Sequence, residues 1–287
     1  MFLSRKELPN LAEYGMRNSS MAISIDRHIH GTNVLLLTLD SCRWDSFVAA
    51  HAQNLKGLGR FEQAFSQGTY TYPSHMSIYS GILPDTREPI PLFNRFKKNL
   101  FRIGGRSTLV DSYIEFPPGT TSIIKGFESL GYNTFGCGAL DWFKHPNLSS
   151  PFQEFRYTGI DVKSQIAFIS SKLRENSGNF FAFMNIGEPH EPYEYGGLIV
   201  PPLTSRTVMR AFKNLGFLKN EFDKQIACIE FVDKELERLF EEITKISEKT
   251  LVIVCGDHGE CLGEDGLYGH GFYHPKVMEV PLGIFYI

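Results

Sequence analysis

Three stretches of this chain are unbroken apolar runs of strand length, and each stops at residues that carry chemistry. The run at 33–39 ends at Asp40, that at 179–186 ends at Gly187-Glu188-Pro189-His190, and that at 250–255 ends at Gly256-Asp257-His258-Gly259. Continuous runs of this kind predict strands buried on both faces, as in a parallel sheet covered by helices. A weaker run at 132–137 follows a helix predicted over 119–130. Between the runs the period changes to that of a helix with one buried face. Residues 161–175 place Val162, Ile166, Ile169 and Leu173 on one side. Residues 221–246 do the same with Phe222, Ile226, Ile229, Val232, Leu236, Leu239, Phe240 and Ile243. The alternation predicts the α/β class: a mostly parallel sheet with helices on both faces, three layers α/β/α. Ligands of such sheets bind beyond the carboxyl ends of the strands. That is where these runs deliver Asp, Glu and His.

Composition narrows the field. A chain of 287 residues, 42% apolar and 21% charged, is an ordinary globular one. Its net charge of −3, from 29 basic and 32 acidic residues, gives no electrostatic ground for a nucleic-acid partner. No run reaches the ~20 apolar residues of a membrane span, and the first residues lack the apolar core of a secretory signal. Five cysteines (Cys42, Cys137, Cys228, Cys255, Cys261) show no paired metal spacing. They predict neither a disulfide framework nor a zinc ribbon, and a reducing, cytoplasmic setting. Residues 1–30 are polar and irregular, a predicted N-terminal arm, and 31–287 read as a single domain.

Each candidate group has a plain reading beside a chemical one. Asp40 after a strand is either a helix N-cap or a metal ligand. Asp257 and His258 are a turn acid and a surface histidine, or an oxygen and an imidazole aimed at one ion. The second pairing suits zinc or manganese better than calcium. Thr71 lies at a predicted helix start with Pro73 in the first turn. Its hydroxyl either caps the helix or serves as a nucleophile, and a nucleophile there needs a metal to lower its pKa. His190 and His270 sit in turns near the same sheet edge, where they could touch a transferred group or protonate a leaving oxygen. Glu260, Glu264 and Asp265 are expected to shape a polar loop. His28, His30, His51, His145 and His274 are expected at the surface, and Trp44 and Trp142 in the core or a pocket wall.

Taken in order, Asp40 after its strand, Thr71-Tyr-Pro-Ser-His75, Glu188-Pro-His190-Glu-Pro-Tyr193, Asp257-His258-Gly through Gly-His270-Gly, and Val277-Met-Glu-Val-Pro-Leu282 resemble the alkaline phosphatase superfamily in its sulfatase-like branch. The resemblance covers about 33–287. It implies an alkaline-phosphatase-like fold and a divalent metal, zinc or manganese before calcium, among Asp40, Thr71, Asp257 and His258. It places Thr71 where the branch carries its nucleophile. His75, Glu188, His190 and His270 are implied as substrate-binding residues, and Glu188 with the two later histidines as holders of a second ion. The Asp-x-x-x-His pair of a two-metal site is not visible. The threonine stretch is similar to that of nucleotide phosphodiesterases, and lipoteichoic acid synthases likewise use a threonine.

The departures point away from sulfate. Threonine is not converted to formylglycine, His75 replaces the arginine of the sulfatase signature, Ser41 the second aspartate, and His270 a sulfate-binding lysine. The resemblance therefore implies a metal-dependent hydrolase or phosphotransferase for small-molecule or lipid-linked phosphate esters, phosphodiesters first, through a covalent phospho-enzyme. A sulfatase without formylglycine, or a non-catalytic metal-binding module, are the alternatives. Ending at Ile287, the chain is expected to lack most of the branch's C-terminal subdomain. Nothing in the sequence indicates an oligomeric state.

Overall fold

The strand Asn33–Leu39 (β1) is the axis of the fold, because its neighbours on both sides are the two other strands that end in site residues. The computed structural model describes residues 31–81, 102–104, 113–115, 122–193, 216–246 and 249–287. The predicted arm at 1–30 lies outside them. After β1 come helices α1 (Trp44–Ala49) and α2 (Gln53–Leu58), strand β2 (Glu62–Phe65) and helix α3 (Thr71–Ser80). A small antiparallel pair follows, β3 (Arg102–Gly104) and β4 (Tyr113–Glu115). Next are α4 (Ile123–Ser129), β5 (Asn133–Gly138), a 3-10 turn (Asp141–Lys144), α5 (Pro146–Ser149) and β6 (Glu154–Tyr157). The remainder is α6 (Val162–Glu175), β7 (Phe180–Ile186), α7 (Lys219–Ile246), β8 (Thr250–Gly256), the short pair β9 (Cys261–Leu262) and β10 (Tyr268–Gly269), α8 (Pro275–Met278) and β11 (Glu279–Tyr286).

The main sheet runs β2-β11-β8-β1-β7-β5-β6. Only β11 is antiparallel to its neighbours, so the sheet is mostly parallel, as expected. Alternation along the central strands builds both outer layers. Leu35, Leu37 and Leu39 of β1 and Ala182, Met184 and Ile186 of β7 join Ile166, Ile169, Val232, Leu236 and Leu239 of α6 and α7 in one core. The intervening Phe181 and Phe183 point the other way, onto Phe127 of α4, Tyr79 of α3 and Phe152. Thr38 and Asn185 share this second parity and sit opposite each other in the β1–β7 register.

Two of the predicted helices appear with side-chain caps that explain their starts. Asp161 accepts from Ser164 N–H at the head of α6, and Ser122 accepts from Lys125 N–H at the head of α4. Strands β2 and β6 carry no apolar run because they are the sheet's edges and are only half buried. Trp142, expected in the core or a pocket wall, is not in the core: it is exposed and leans on Tyr70 and Tyr72. His274, expected at the surface, is buried as the N-cap of α8.

One contact across the second half of the chain holds the first. The carboxylate of Asp233, buried on α7, accepts from Leu55 N–H at 2.7 Å and Asn54 N–H at 3.1 Å. Helix α2 has no side-chain cap of its own, so α7 supplies it. Replacing Asp233 by Ala leaves both donors unmet and is expected to cost about 2 kcal/mol. Urea unfolding should show a lower midpoint with an unchanged slope.

Candidate active site

The parallel register puts Leu39 level with Ile186 on one side and Gly256 on the other, so the chain leaves three strands at one edge. Asp40 follows β1 and Asp257 follows β8. Ser41, at φ 57°, turns the chain sharply and aims its N–H at Asp257 Oδ1, 3.1 Å away. His258 N–H donates to the same oxygen at 2.8 Å. The other oxygen, Oδ2, is buried without a hydrogen-bond partner. It faces His258 Nε2 at 3.6 Å, and that nitrogen lies 3.8 Å from Asp40 Oδ1. Both carboxylates and the imidazole are essentially inaccessible, at 0–1% exposure.

Thr71 closes the group. It is the first residue of α3, held there as the extended Tyr70 gives way to helix. Its hydroxyl donates to Asp40 Oδ2 at 3.3 Å and lies 3.4 Å from His258 Nε2. The structure thus brings together the four residues that the sequence scatters over 40, 71, 257 and 258.

The donor chemistry fits a divalent cation. Asp40, Asp257 and His258 each offer a ligand atom, all within 4.8 Å of one another. His258 Nδ1–H donates to the Gly259 carbonyl at 2.9 Å, which leaves Nε2 as a lone pair pointing at the carboxylates. That is the arrangement of a metal-ligating histidine. Electrostatics agree. Burial, and then the Asp40 charge, push the Asp257 carboxyl well above the usual range. Burial works upward on Asp40 too, but the imidazoles of His190, His258 and His75 and the Asn185 amide outweigh it and hold it low. Burial, with His270 beside it, pushes His258 down to about 3. The two buried acids push each other apart in pKa, and a cation between them relieves both.

His190 and His270 join the same group. The His270 ring is 4.5 Å from that of His258 and 5.3 Å from that of His190, centre to centre. With a quarter of its side chain exposed, His270 faces solvent more than the ligands do.

Two expected substrate contacts, His75 and Glu188, bond to the protein itself. His75 is fully buried, ringed by Tyr79, Phe143 and Phe183, with Nδ1 donating to the Thr71 carbonyl at 2.8 Å and Nε2 3.0 Å from Thr38 Oγ1. One helical turn beyond Thr71, it packs against the sheet directly beneath the site, with Nδ1 3.7 Å from Asp257 Oδ2. Burial pushes it down to about 4, against the pull of that carbonyl and of Asp40, so it is neutral. Glu188 has turned to α6, where Oε1 accepts from Val162 N–H at 2.6 Å. It acts on a helix start, and it is absent from the three-ligand cluster.

Other residues at the site were not anticipated. Arg43 is buried yet forks onto Asp45, at 2.9 and 2.8 Å, and pairs with Glu264 at 2.6 Å. It stitches the loop after β1 to the loop after β9. Glu260, expected to shape a polar loop, is buried, accepts from Tyr193 Oη, and faces His270 Nδ1 at 3.9 Å. Gln225 of α7 donates to the carbonyls of Ser41 and Pro189, both at 3.0 Å. Asn185 donates to Asp40 Oδ2 at 3.1 Å. A polar residue inside an apolar strand was the one available signal for Asn185.

Comparisons with known proteins agree with this architecture. The family model described as Sulfatase matches residues 32–282. A search of curated protein sequences returns no match. Among solved structures, the chain is similar to the C-terminal periplasmic domain of the phosphoethanolamine transferase EptC of Campylobacter jejuni. There the TM-score is 0.61 at 15% identity over 90% of this chain and 80% of that one. It is similar to the lipoteichoic acid synthase LtaP of Listeria monocytogenes, with TM-score 0.57 at 12% identity over 89% and 65%. The phosphonate monoester hydrolase of Agrobacterium radiobacter gives TM-score 0.58 at 16% identity over 88% and 68%. The chain thus spans 65–80% of these three neighbours.

Glu188 makes a stability prediction separate from chemistry. Burial raises its pKa from 4.5 to about 7. A raised carboxyl means that the folded state holds a proton the unfolded chain has lost. Stability from this group is therefore full below pH 4.5 and is lost as pH rises through 7. The shift of 2.5 units corresponds to about 3 kcal/mol. The Glu188→Gln variant should lose this slope, read as unfolding free energy at pH 5 and pH 8.

Proposed function

The chain belongs to the sulfatase family and is an ester hydrolase or transferase. From that premise we propose that it acts on phosphate esters, phosphodiesters first, with Thr71 as nucleophile. The observation that carries this reading is the Thr71 hydroxyl, at the start of a helix, between Asp40 Oδ2 and His258 Nε2. Three structural neighbours, by their names, handle phosphoethanolamine, lipoteichoic acid or a phosphonate monoester. Threonine also lacks the thiol or primary alcohol from which formylglycine is made.

Asp40, Asp257 and His258 would hold the cation. A divalent ion there lowers the pKa of the adjacent alcohol and offsets charge on the phosphate oxygens. With its proton released to solvent, Thr71 Oγ1 would attack phosphorus in line, and the α3 N-terminus favours the negative oxygens beside it. The P–O bond to the leaving alcohol breaks, and His270 or His190, on the solvent side, supplies that oxygen's proton. A phospho-threonine remains. Water releases it in a hydrolase, an acceptor alcohol in a transferase. The catalytic unit in this reading is 31–287. The five unpaired cysteines support a reducing compartment, and among the described residues no helix is long and apolar enough to cross a membrane.

Removing the nucleophile gives the decisive test. Thr71→Ala should lower turnover of bis-p-nitrophenyl phosphate by roughly three orders of magnitude or more, with an unchanged circular dichroism spectrum. A variant as fast as the parent refutes the assignment. Faster cleavage of p-nitrophenyl sulfate than of bis-p-nitrophenyl phosphate assigns the chain to sulfate instead. Separately, Asp257→Ala should lose bound zinc or manganese by mass-spectrometric metal analysis, and stoichiometry equal to the parent's counts against the cation site.

A further inference from the structure

The strand parity that puts Thr38 and Asn185 on the α3 side of the sheet creates a buried polar chain beneath the site. Its direction can be read from one end. Ala139 N–H donates to Asn185 Oδ1 at 3.3 Å, which fixes the amide with its nitrogen toward β1. That nitrogen has two hydrogens and two acceptors: Asp40 Oδ2 at 3.1 Å and Thr38 Oγ1 at 3.2 Å. With an N–H arriving at Thr38 Oγ1, the Thr38 hydroxyl donates onward to His75 Nε2 at 3.0 Å. His75 then carries its proton on Nδ1 and donates it to the Thr71 carbonyl at 2.8 Å. Asp40, Thr38, His75 and Asn185 are each 0% exposed, so no water competes for these bonds. Every donor meets an acceptor, and reversing the amide would put the NH2 against a backbone N–H.

We propose that Asn185 is a positioning residue that holds the Asp40 carboxylate directly and the Thr71 backbone through Thr38 and His75. The two ends of the chain are a metal ligand and the residue that carries the nucleophile. One amide therefore sets the distance between them. This rests on the reading of Asp40 as ligand and Thr71 as nucleophile. It also explains why a threonine and an asparagine interrupt two otherwise apolar strands at paired positions. A buried polar pair costs stability unless every group is satisfied, and here all are.

The test begins without metal. In the metal-free protein at pH 7, nitrogen NMR of labelled histidine should show His75 as the neutral tautomer protonated on Nδ1. A proton on Nε2 overturns the direction of the chain and the proposal with it. Thr38→Val, of the same shape, should shift the His75 Nε2 resonance, and Thr38→Ser should restore it. The second readout is cation affinity, by calorimetric titration with zinc and manganese. Asn185→Leu should bind either ion about 10- to 100-fold more weakly, the usual effect of losing a partner that orients a ligand. Parent-like affinity in folded Asn185→Leu, with Thr71→Ala inactive, overturns the positioning role alone. Parent-like turnover in Thr71→Ala overturns the function and with it the Thr71 end of the proposal, while the Asp40 end is still decided by cation affinity. If Asn185→Leu does not fold, the tautomer and the Thr38 pair still decide.

Discussion

Two carboxylates buried at the ends of neighbouring parallel strands cannot both keep their charge without something positive between them. Asp40 and Asp257 are in that position, and the rest of the site is arranged around it. Asp257 commits Oδ1 to two backbone N–H groups and leaves Oδ2 without a partner. An uncompensated buried charge costs several kcal/mol. The protein alone meets this cost by driving one carboxyl up and the other down in pKa. A divalent cation meets it without a proton. In the proposed function it is that cation, and not the carboxylates, that would activate the neighbouring Thr71 hydroxyl.

The fold delivers this pair by register, not by sequence proximity. Because β8, β1 and β7 run parallel and level, their ends fall within a few ångströms of one another although 217 positions separate Asp40 from Asp257. The connections then have to be locked, since loops at a sheet edge have no ladder of their own. Arg43 does this on one side, with its guanidinium shared between Asp45 and Glu264. Gln225 does it on the other, reaching from α7 to the loops after β1 and β7. Breaking a buried ion pair by removing one partner leaves a bare charge, so these loops are tied firmly.

Much of this was legible before any coordinates. The apolar runs at 33–39, 179–186 and 250–255 end within one residue of the observed strands, because strands buried on both faces must be apolar throughout. The edge strands β2 and β6 were not legible, since half-buried edges carry no such run. Asp40, Thr71, Asp257 and His258 stood out because each followed a strand or opened a helix. His75 and Glu188 were assigned to substrate on motif position alone. Their side-chain directions depend on helical phase and on the start of α6, neither of which spacing reports. Asn185 and Glu260 were overlooked because a single polar residue in a strand, or one acid among several in a loop, has no periodicity.

His75 and His258 show how context decides the use of one side chain. Both are fully buried and driven toward the neutral form, chiefly by desolvation. Each spends Nδ1–H on a nearby carbonyl, Thr71 for one and Gly259 for the other, so each presents a bare Nε2. The difference lies in what that lone pair meets. His258 leaves the end of a central strand, and its Nε2 enters the space between two carboxylates and a hydroxyl, where a cation is the best donor available. His75 comes off the inner face of α3, and its Nε2 meets the hydroxyl of Thr38 from the sheet beneath. Both lone pairs have a threonine hydroxyl nearby, at 3.0 Å for His75 and 3.4 Å for His258, and what sets His258 apart is the pair of carboxylates facing the same nitrogen.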